Sequence, residues 1–352
     1  MPRYFNKLMY IDSMNLIVKE SEDNTIKDEI FYYKEIEHKQ LCYLFPKISN
    51  IEYISNFYSN RSKISMEYID YPLLSDLFLN KTINLDQWRN IISKLYFLIS
   101  TAFQAYEFKS QTNELFRKNF YITKNYDRLK SFISQNRDKN NILCNLWNEN
   151  LTVHGKKVIR IEDTFEKSFP HLLKLCNNKS FNMIHGDLCF SNIFCSVNKN
   201  VIKLIDPRGD FGGLKGIYGD CKYDIAKLYH SVDGLYDFVV GNKVDIKISK
   251  NNIDLIFNGY DSDYHEKIKM MFDEIFLSDI KQRKEIKLIE SWLFLSMLPL
   301  HQDNINRQFI LALIGLEKLT DFLNNERSMD TNENMYRSRW CNLRAKNFGS
   351  IV

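Results

Sequence analysis

The sequence predicts an α+β chain of two unequal parts: a small strand-rich unit over residues 1–71 and a larger, mostly helical unit over 72–325, followed by a polar tail over 326–352. Three observations carry this. Short runs rich in β-branched and aromatic residues fill the beginning of the chain. From Pro72 onward apolar residues recur at helical spacing. Between the two lies ISMEYIDYPLLSDLF, a strand followed by a proline and a helix. With 352 residues, 44% of them apolar and 26% charged, the chain is long enough to bury the core that such an arrangement needs.

The elements follow in order. RYFNKLMYI and NLIVKE read as two strands joined at Asp12-Ser13, a β-hairpin. Asn24 or Thr25 caps a helix whose apolar positions are Ile26, Ile30, Tyr33 and Ile36. NIEYISNFYSN and KISMEYIDY make a second strand pair. Beyond Pro72, Asn84 with Gln87 three residues later opens a helix along Trp88, Ile91, Ile92, Leu95, Ile99, Ala102, Phe103 and Tyr106. Residues 112–150 read as a lysine- and asparagine-rich helical segment, and LTVHGKKVIRI as a hairpin around Gly155. Further helices are expected over 220–240, 262–280 and 284–324.

Composition narrows the function classes. A formal net charge of +4 is too weak to imply nucleic acid. The seven cysteines stand singly, with no C-x-x-C pair, which disfavours zinc and a disulfide framework. No signal-peptide run and no segment of about 18 apolar residues occurs, so the expectation is a cytoplasmic chain without a membrane span. The first glycine is Gly155, and five of the twelve lie between Gly209 and Gly219. The N-terminal unit therefore has no glycine-rich phosphate loop.

The chemistry concentrates in MIHGDLCFSNIFCSVNKNVIKLIDPRGDFGG, Met183 to Gly213. An apolar strand is stopped by His-Gly-Asp, and IFCSV with VIKLI makes a hairpin around NKN. The hairpin returns Asp206 to the end where Asp187 and Asn192 stand. A carboxylate facing an amide and a second carboxylate suits phosphoryl transfer. The first orients the acceptor hydroxyl, while the other two hold Mg²⁺ on nucleotide phosphates. Each residue alone reads as an Asx turn; the three together, as Asp-x4-Asn with an aspartate about fourteen residues on, point to the chemistry.

HGDLCFSNI, IKLIDPRG and YGDCKYDIAKL together resemble the aminoglycoside phosphotransferase and choline kinase group of small-molecule kinases. IDPRG with LPLHQDNINRQ resembles the bacterial subgroup found with capsule and surface-polysaccharide genes. The resemblance implies a protein-kinase-like bilobal fold, with Asp187 as catalytic base and Asn192 and Asp206 as Mg²⁺ ligands. It implies Lys19 on the nucleotide phosphates, oriented by Glu29, with Glu35 as the rival partner. Adenine would meet the backbone of Glu67, Tyr68 and Ile69. His185 would brace the loop and Asp224 would support it.

Acceptor candidates are Arg208, Tyr218, Trp292, His301 and Asp303. Lys124 and Arg128 either add cationic contacts for a negatively charged acceptor or are a solvated helix face. The expected activity is ATP- and Mg²⁺-dependent transfer of a phosphoryl group to a hydroxyl of a sugar, an amino alcohol such as choline or ethanolamine, or an amino-acid derivative. The partners are then ATP and a small acceptor. Only 18 residues precede Lys19, so the N-terminal lobe is expected to be shortened. That departure motivates the alternative of a catalytically weak nucleotide-binding or assembly protein on the same fold.

Overall fold

The first strands, β1 (Asn6–Ile11) and β2 (Leu16–Ser21), pair antiparallel with Leu8 opposite Lys19. The computed structural model describes residues 6–22, 25–55, 60–177 and 180–347; Asn24, one of the two expected caps, falls outside them. Helix α1 (Thr25–Ile36) buries Ile26, Ile30, Tyr33 and Ile36 as its periodicity predicts, and with them Glu29 and Tyr32. β3 (Ile48–Ser55) and β4 (Asn60–Glu67) complete a four-stranded antiparallel sheet in the order β1-β2-β4-β3. A short turn joins β1 to β2, and its Asn15 takes the left-handed conformation at φ 51°.

Past Pro72 the chain turns helical. α2 (Leu74–Asn80) and α3 (Leu85–Phe97) come first. At the start of α3, the Asn84 side chain accepts the Gln87 N–H while Gln87 accepts that of Asn84, the reciprocal cap its sequence foretells. Strand β5 (Glu107–Phe108) leads to α4 (Asn113–Lys118), which runs through a wider turn, with the Lys124 N–H donating to the Asn119 carbonyl, into α5 (Lys124–Asn136). The hairpin at Gly155 is β6 (Thr152–Val153) with β7 (Lys156–Lys157), and α6 (Thr164–Cys176) follows.

The central segment is built from short strands. β8 (Phe181–Met183) leads into the His-Gly-Asp turn, and β9 (Ile193–Ser196) pairs antiparallel with β10 (Val201–Leu204), Ile193 opposite Leu204. A second hairpin, β11 (Asp210–Phe211) with β12 (Leu214–Lys215), is followed by β13 (Tyr218–Gly219), which pairs with β8.

The stretch expected as one helix over 220–240 is two, α7 (Cys221–Val232) and α8 (Tyr236–Val240), broken where Leu235 turns left-handed. Between 241 and 261 the chain forms a hairpin, β14 (Val244–Ser249) with β15 (Asn252–Phe257), joined edge-on to β6. α9 (Ser262–Phe276) and α10 (Ile280–Ser296) precede a tight turn at Pro299. The last helix, α11, runs as Ile305–Asn347, so the expected polar tail starts as its continuation. α10 packs against α7 and α11, and α7 buries every residue from Tyr223 to Val232. The catalytic-loop candidate thus rests on a dense helical base.

Candidate active site

Lys19 is the one charged residue of β2 that turns into the protein, 6% exposed. Its ammonium lies 2.7 Å from Glu29 Oε2 and 3.0 Å from Asp206 Oδ1. Burial works against the Lys19 charge, but the two carboxylates outweigh it and raise its pKa above the ordinary lysine value. Glu29, not Glu35, is therefore the helix carboxylate that meets Lys19. Glu35 instead accepts the Ile217 N–H at 3.0 Å.

Asp206 keeps 46% of its side chain exposed and sits at φ 56°, a left-handed conformation that L-residues adopt at a cost of about 1–2 kcal/mol. Such strain persists where the surroundings over-determine the residue. Here the β9–β10 ladder precedes it, the Ile205 N–H donates to the Asn192 carbonyl at 3.1 Å, and Pro207 follows. The Asn192 side-chain amide donates to the Asp187 carbonyl at 2.8 Å, which directs its oxygen away from that bond. Asp187, Asn192 and Asp206 therefore meet at one end of the hairpin, as the sequence spacing predicts.

Two groups hold the Asp187 loop from behind. Asp224 on α7 accepts the His185 and Gly186 N–H groups at 2.6 and 2.8 Å, and burial pushes its carboxyl up to about 7. His185 is fully buried, stacks on Phe45, and accepts the Asp187 N–H at 3.3 Å. Burial pulls its imidazole down to about 4, so it is a neutral brace at physiological pH. Gly186 has φ 80°, and a Cβ there would lie 2.7 Å from the Arg208 Cβ. Burial also pushes the neighbouring Cys189 thiol up to about 12, which keeps it protonated.

One residue absent from the sequence expectations pairs with Asp187. The Lys227 ammonium lies 2.7 Å from Asp187 Oδ1. Burial opposes its charge, and Asp187 foremost restores it, leaving the pKa raised. Lys227 lies inside YGDCKYDIAKL, one turn after Asp224 on the same helix, and that spacing was its only signal in the sequence.

The remaining candidates divide. Glu67 and Tyr68 donate their peptide N–H groups to Lys47 and Asn15 carbonyls at 2.9 and 3.1 Å, so of these three candidates Ile69 is the one whose N–H lacks a backbone partner among the described residues. Arg208 packs along Gly186, and its backbone N–H donates to the His185 carbonyl at 2.9 Å. Tyr218 stacks on Phe108 beside β8. His301 closes the Pro299 turn, which packs on α5, and Asp303 lies 3.5 Å from Arg307.

Trp292 is a correction. It is 2% exposed, donates to Ser168 Oγ at 3.1 Å and packs edge-on to Phe165, so it belongs to the core and offers no acceptor surface. The glycine-dense stretch after Arg208 is ordered by short strands. It is the β11–β12 hairpin, with Lys215 bound to Asp28 at 2.7 Å and to Asp210 at 3.1 Å.

A cavity of about 290 Å³ includes none of these groups. Asp233, Lys269, Glu290 and Lys318 line it, and they neutralise one another: Asp233 pairs with both lysines, and Lys318 with Glu290. Among the described residues no group of three His, Cys, Asp or Glu side chains could hold a metal ion. No helix there is long and apolar enough to cross a membrane.

No family model matches the chain, and no curated protein matches it. Solved structures do. A variant of an aminoglycoside 2'-phosphotransferase-IIIa in its GDP complex aligns with a TM-score of 0.50 at 14% identity, covering 92% of this chain and 90% of the other. The GDP and kanamycin complex of an aminoglycoside phosphotransferase aligns at 0.48 and 15% identity, covering 92% of each chain. A protein described as a putative fructosamine-3-kinase from Haemophilus somnus aligns at 0.46 and 13%, covering 88% of this chain and 87% of that one. The first of these likenesses establishes the architecture. The chain has a bilobal, kinase-like α+β fold, a small β-rich lobe on a mostly helical one.

Proposed function

We propose that this protein is a small-molecule kinase, transferring the γ-phosphoryl group of ATP to a hydroxyl of a small metabolite. The observation that carries the reading is the convergence of Lys19, Glu29 and Asp206 from three separate elements on one side of the Asp187 loop. A structural ion pair needs two partners; a strained, half-exposed aspartate on a buried lysine that already has a carboxylate is what a phosphate-binding centre needs.

In this reading Asp187 accepts the proton of the acceptor hydroxyl as its oxygen attacks the γ-phosphorus. The bond from that phosphorus to the β–γ bridging oxygen breaks, and ADP leaves. Lys227 keeps Asp187 ionised and aimed. Lys19 meets the α- and β-phosphates, with Glu29 fixing its direction. Asn192 and Asp206 are the residues that would hold Mg²⁺, and their donor chemistry fits: two hard oxygens, with water and phosphate oxygens left to complete the shell. The bound ion would neutralise charge developing on the phosphates. The peptide at Ile69 is the contact for adenine. Residues 1–71 act as the donor lobe and 72–325 as the acceptor lobe. An acceptor from surface-polysaccharide synthesis rests on the sequence resemblance alone.

The test is nucleoside-diphosphate release with ATP or GTP against a panel of sugars, sugar acids, sugar phosphates, amino alcohols and amino acids. The expected result is turnover with at least one acceptor, falling about 10²- to 10⁴-fold in Asp187→Asn while the variant stays folded. Binding of Mg-ATP without turnover, and indifference to Asp187→Asn, would favour the alternative of a nucleotide-binding or assembly protein.

A further inference from the structure

From an unbalanced group of cations beside Asp187, we infer that the acceptor carries a negative charge, a carboxylate or a phosphate ester, held by Lys124 and Arg208. The inference rests on the phosphotransfer reading and narrows it, away from amino alcohols and towards acidic metabolites.

Both side chains converge on one ring. The Lys124 ammonium lies 3.2 Å from the centroid of Phe120 and 5.4 Å from that of Tyr223, and the Arg208 guanidinium carbon lies 5.2 Å from the Phe120 centroid. Phe120 is fixed from beneath by Phe211, stacked at 4.0 Å, and edge-on by Tyr223 at 4.7 Å. The wide turn at Asn119–Thr123 delivers both Phe120 and Lys124 to this place, a helix irregularity of the kind found at functional sites.

The group adjoins the reacting centre. Arg208 lies along Gly186, next to Asp187, and Tyr223 is one turn from Lys227, which holds Asp187. Arg128, one turn beyond Lys124, is held by the Ser296 carbonyl at 3.3 Å, next to the Pro299 turn that carries His301.

The charges do not cancel. Lys19 has two carboxylates, Lys227 has Asp187, and Lys215 has Asp28 and Asp210. Lys124 and Arg208 make no ion pair among the described residues, and Asp210, a carboxylate that acts on Lys124, is engaged by Lys215. Burial first, then Arg208, Arg128 and Lys227, push the Lys124 ammonium well below its ordinary value. Ring faces compensate such cations only in part. An incoming anion would complete them, and its hydroxyl would then face Asp187.

The experiment uses the full chain with Mg-ADP present to fill the donor site. Glucose 6-phosphate, glucuronate and glucose are titrated calorimetrically into wild type, Lys124→Met, Arg208→Gln and Arg208→Lys, each checked for an unchanged melting profile. The expected result is binding of one or both anions but not glucose. That affinity drops about 10- to 100-fold in Lys124→Met and Arg208→Gln and is partly restored in Arg208→Lys. The phosphate and carboxylate arms identify which acid is preferred.

Absence of binding by either anion, equal binding of glucose, or anion binding that merely competes with ADP overturns the inference; in the last case the cations serve the donor. Failure of Mg-ADP itself to bind counts against the kinase reading. Anion affinity that still depends on Lys124 would keep the cationic site without it.

Discussion

Close ionic partners set the state of the polar residues of the centre, and Lys227 is the clearest case. Its ammonium sits against Asp187 Oδ1 and stays charged throughout the working pH range, because its pKa is raised. A cation at that distance favours the carboxylate over the acid. Removing it makes protonation of Asp187 easier, so in Lys227→Met the acidic limb of the pH–rate profile should move to higher pH, by about one unit. Lys227→Arg should return most of the shift. A limb that stays in place in Lys227→Met, with only stability reduced, would mean that Lys227 is a packing residue.

The Asp187, Asn192 and Asp206 set was legible in the sequence because a single hairpin brings it together. Lys227 was not, and although Lys124 and Arg208 were each singled out, their convergence on Phe120 was not, since tertiary packing assembles it from the turn after α4, α5 and the chain after β10. Trp292 misled because an apolar helix with a polar end has the same pattern whether it lines a pocket or fills a core.

At the scale of elements, α1 ties the small lobe to the large one. Its Asp28 binds Lys215, its Glu35 takes the Ile217 N–H, and its Tyr32 hydroxyl donates to the Ile184 carbonyl at 3.0 Å. Glu29, which directs Lys19, is thereby tied to the segment that carries Asp206. Gly209 is where the contact is closest: it has φ 67°, and a Cβ there would lie 2.0 Å from the Asp28 carbonyl oxygen.

Gly209→Ala is therefore predicted to cost at least about 2 kcal/mol, from the left-handed backbone and the overlap together. It should also weaken Mg-nucleotide binding about tenfold by moving α1. Urea denaturation and nucleotide titration check the two parts, and unaltered nucleotide affinity would show that α1 does not position Lys19. Element boundaries were legible where a local signal existed, as in the Asn84–Gln87 cap. The β14–β15 hairpin was passed over although VDIKIS alternates; the break at Leu235 has no turn residue to announce it beyond Gly234.

For the whole molecule, the switch from strand-rich to helical sequence at Pro72 was enough to read the two-lobe layout. The glycine-free N-terminal stretch forms a four-stranded antiparallel sheet. What sequence could not supply is the distribution of charge across the cleft. Lys19 is matched by two carboxylates, whereas Lys124 and Arg208 make no ion pair among the described residues.

The central claim is that this cleft is a Mg-nucleotide phosphotransfer centre, and nucleotide binding tests it without knowing the acceptor. Mg-ATP and Mg-GTP should be titrated calorimetrically into wild type and Asp206→Asn, with and without Mg²⁺. The account predicts Mg²⁺-dependent binding that is weakened at least about tenfold in Asp206→Asn. Binding that is unaffected by both the ion and the substitution, or no nucleotide binding at all, would contradict it.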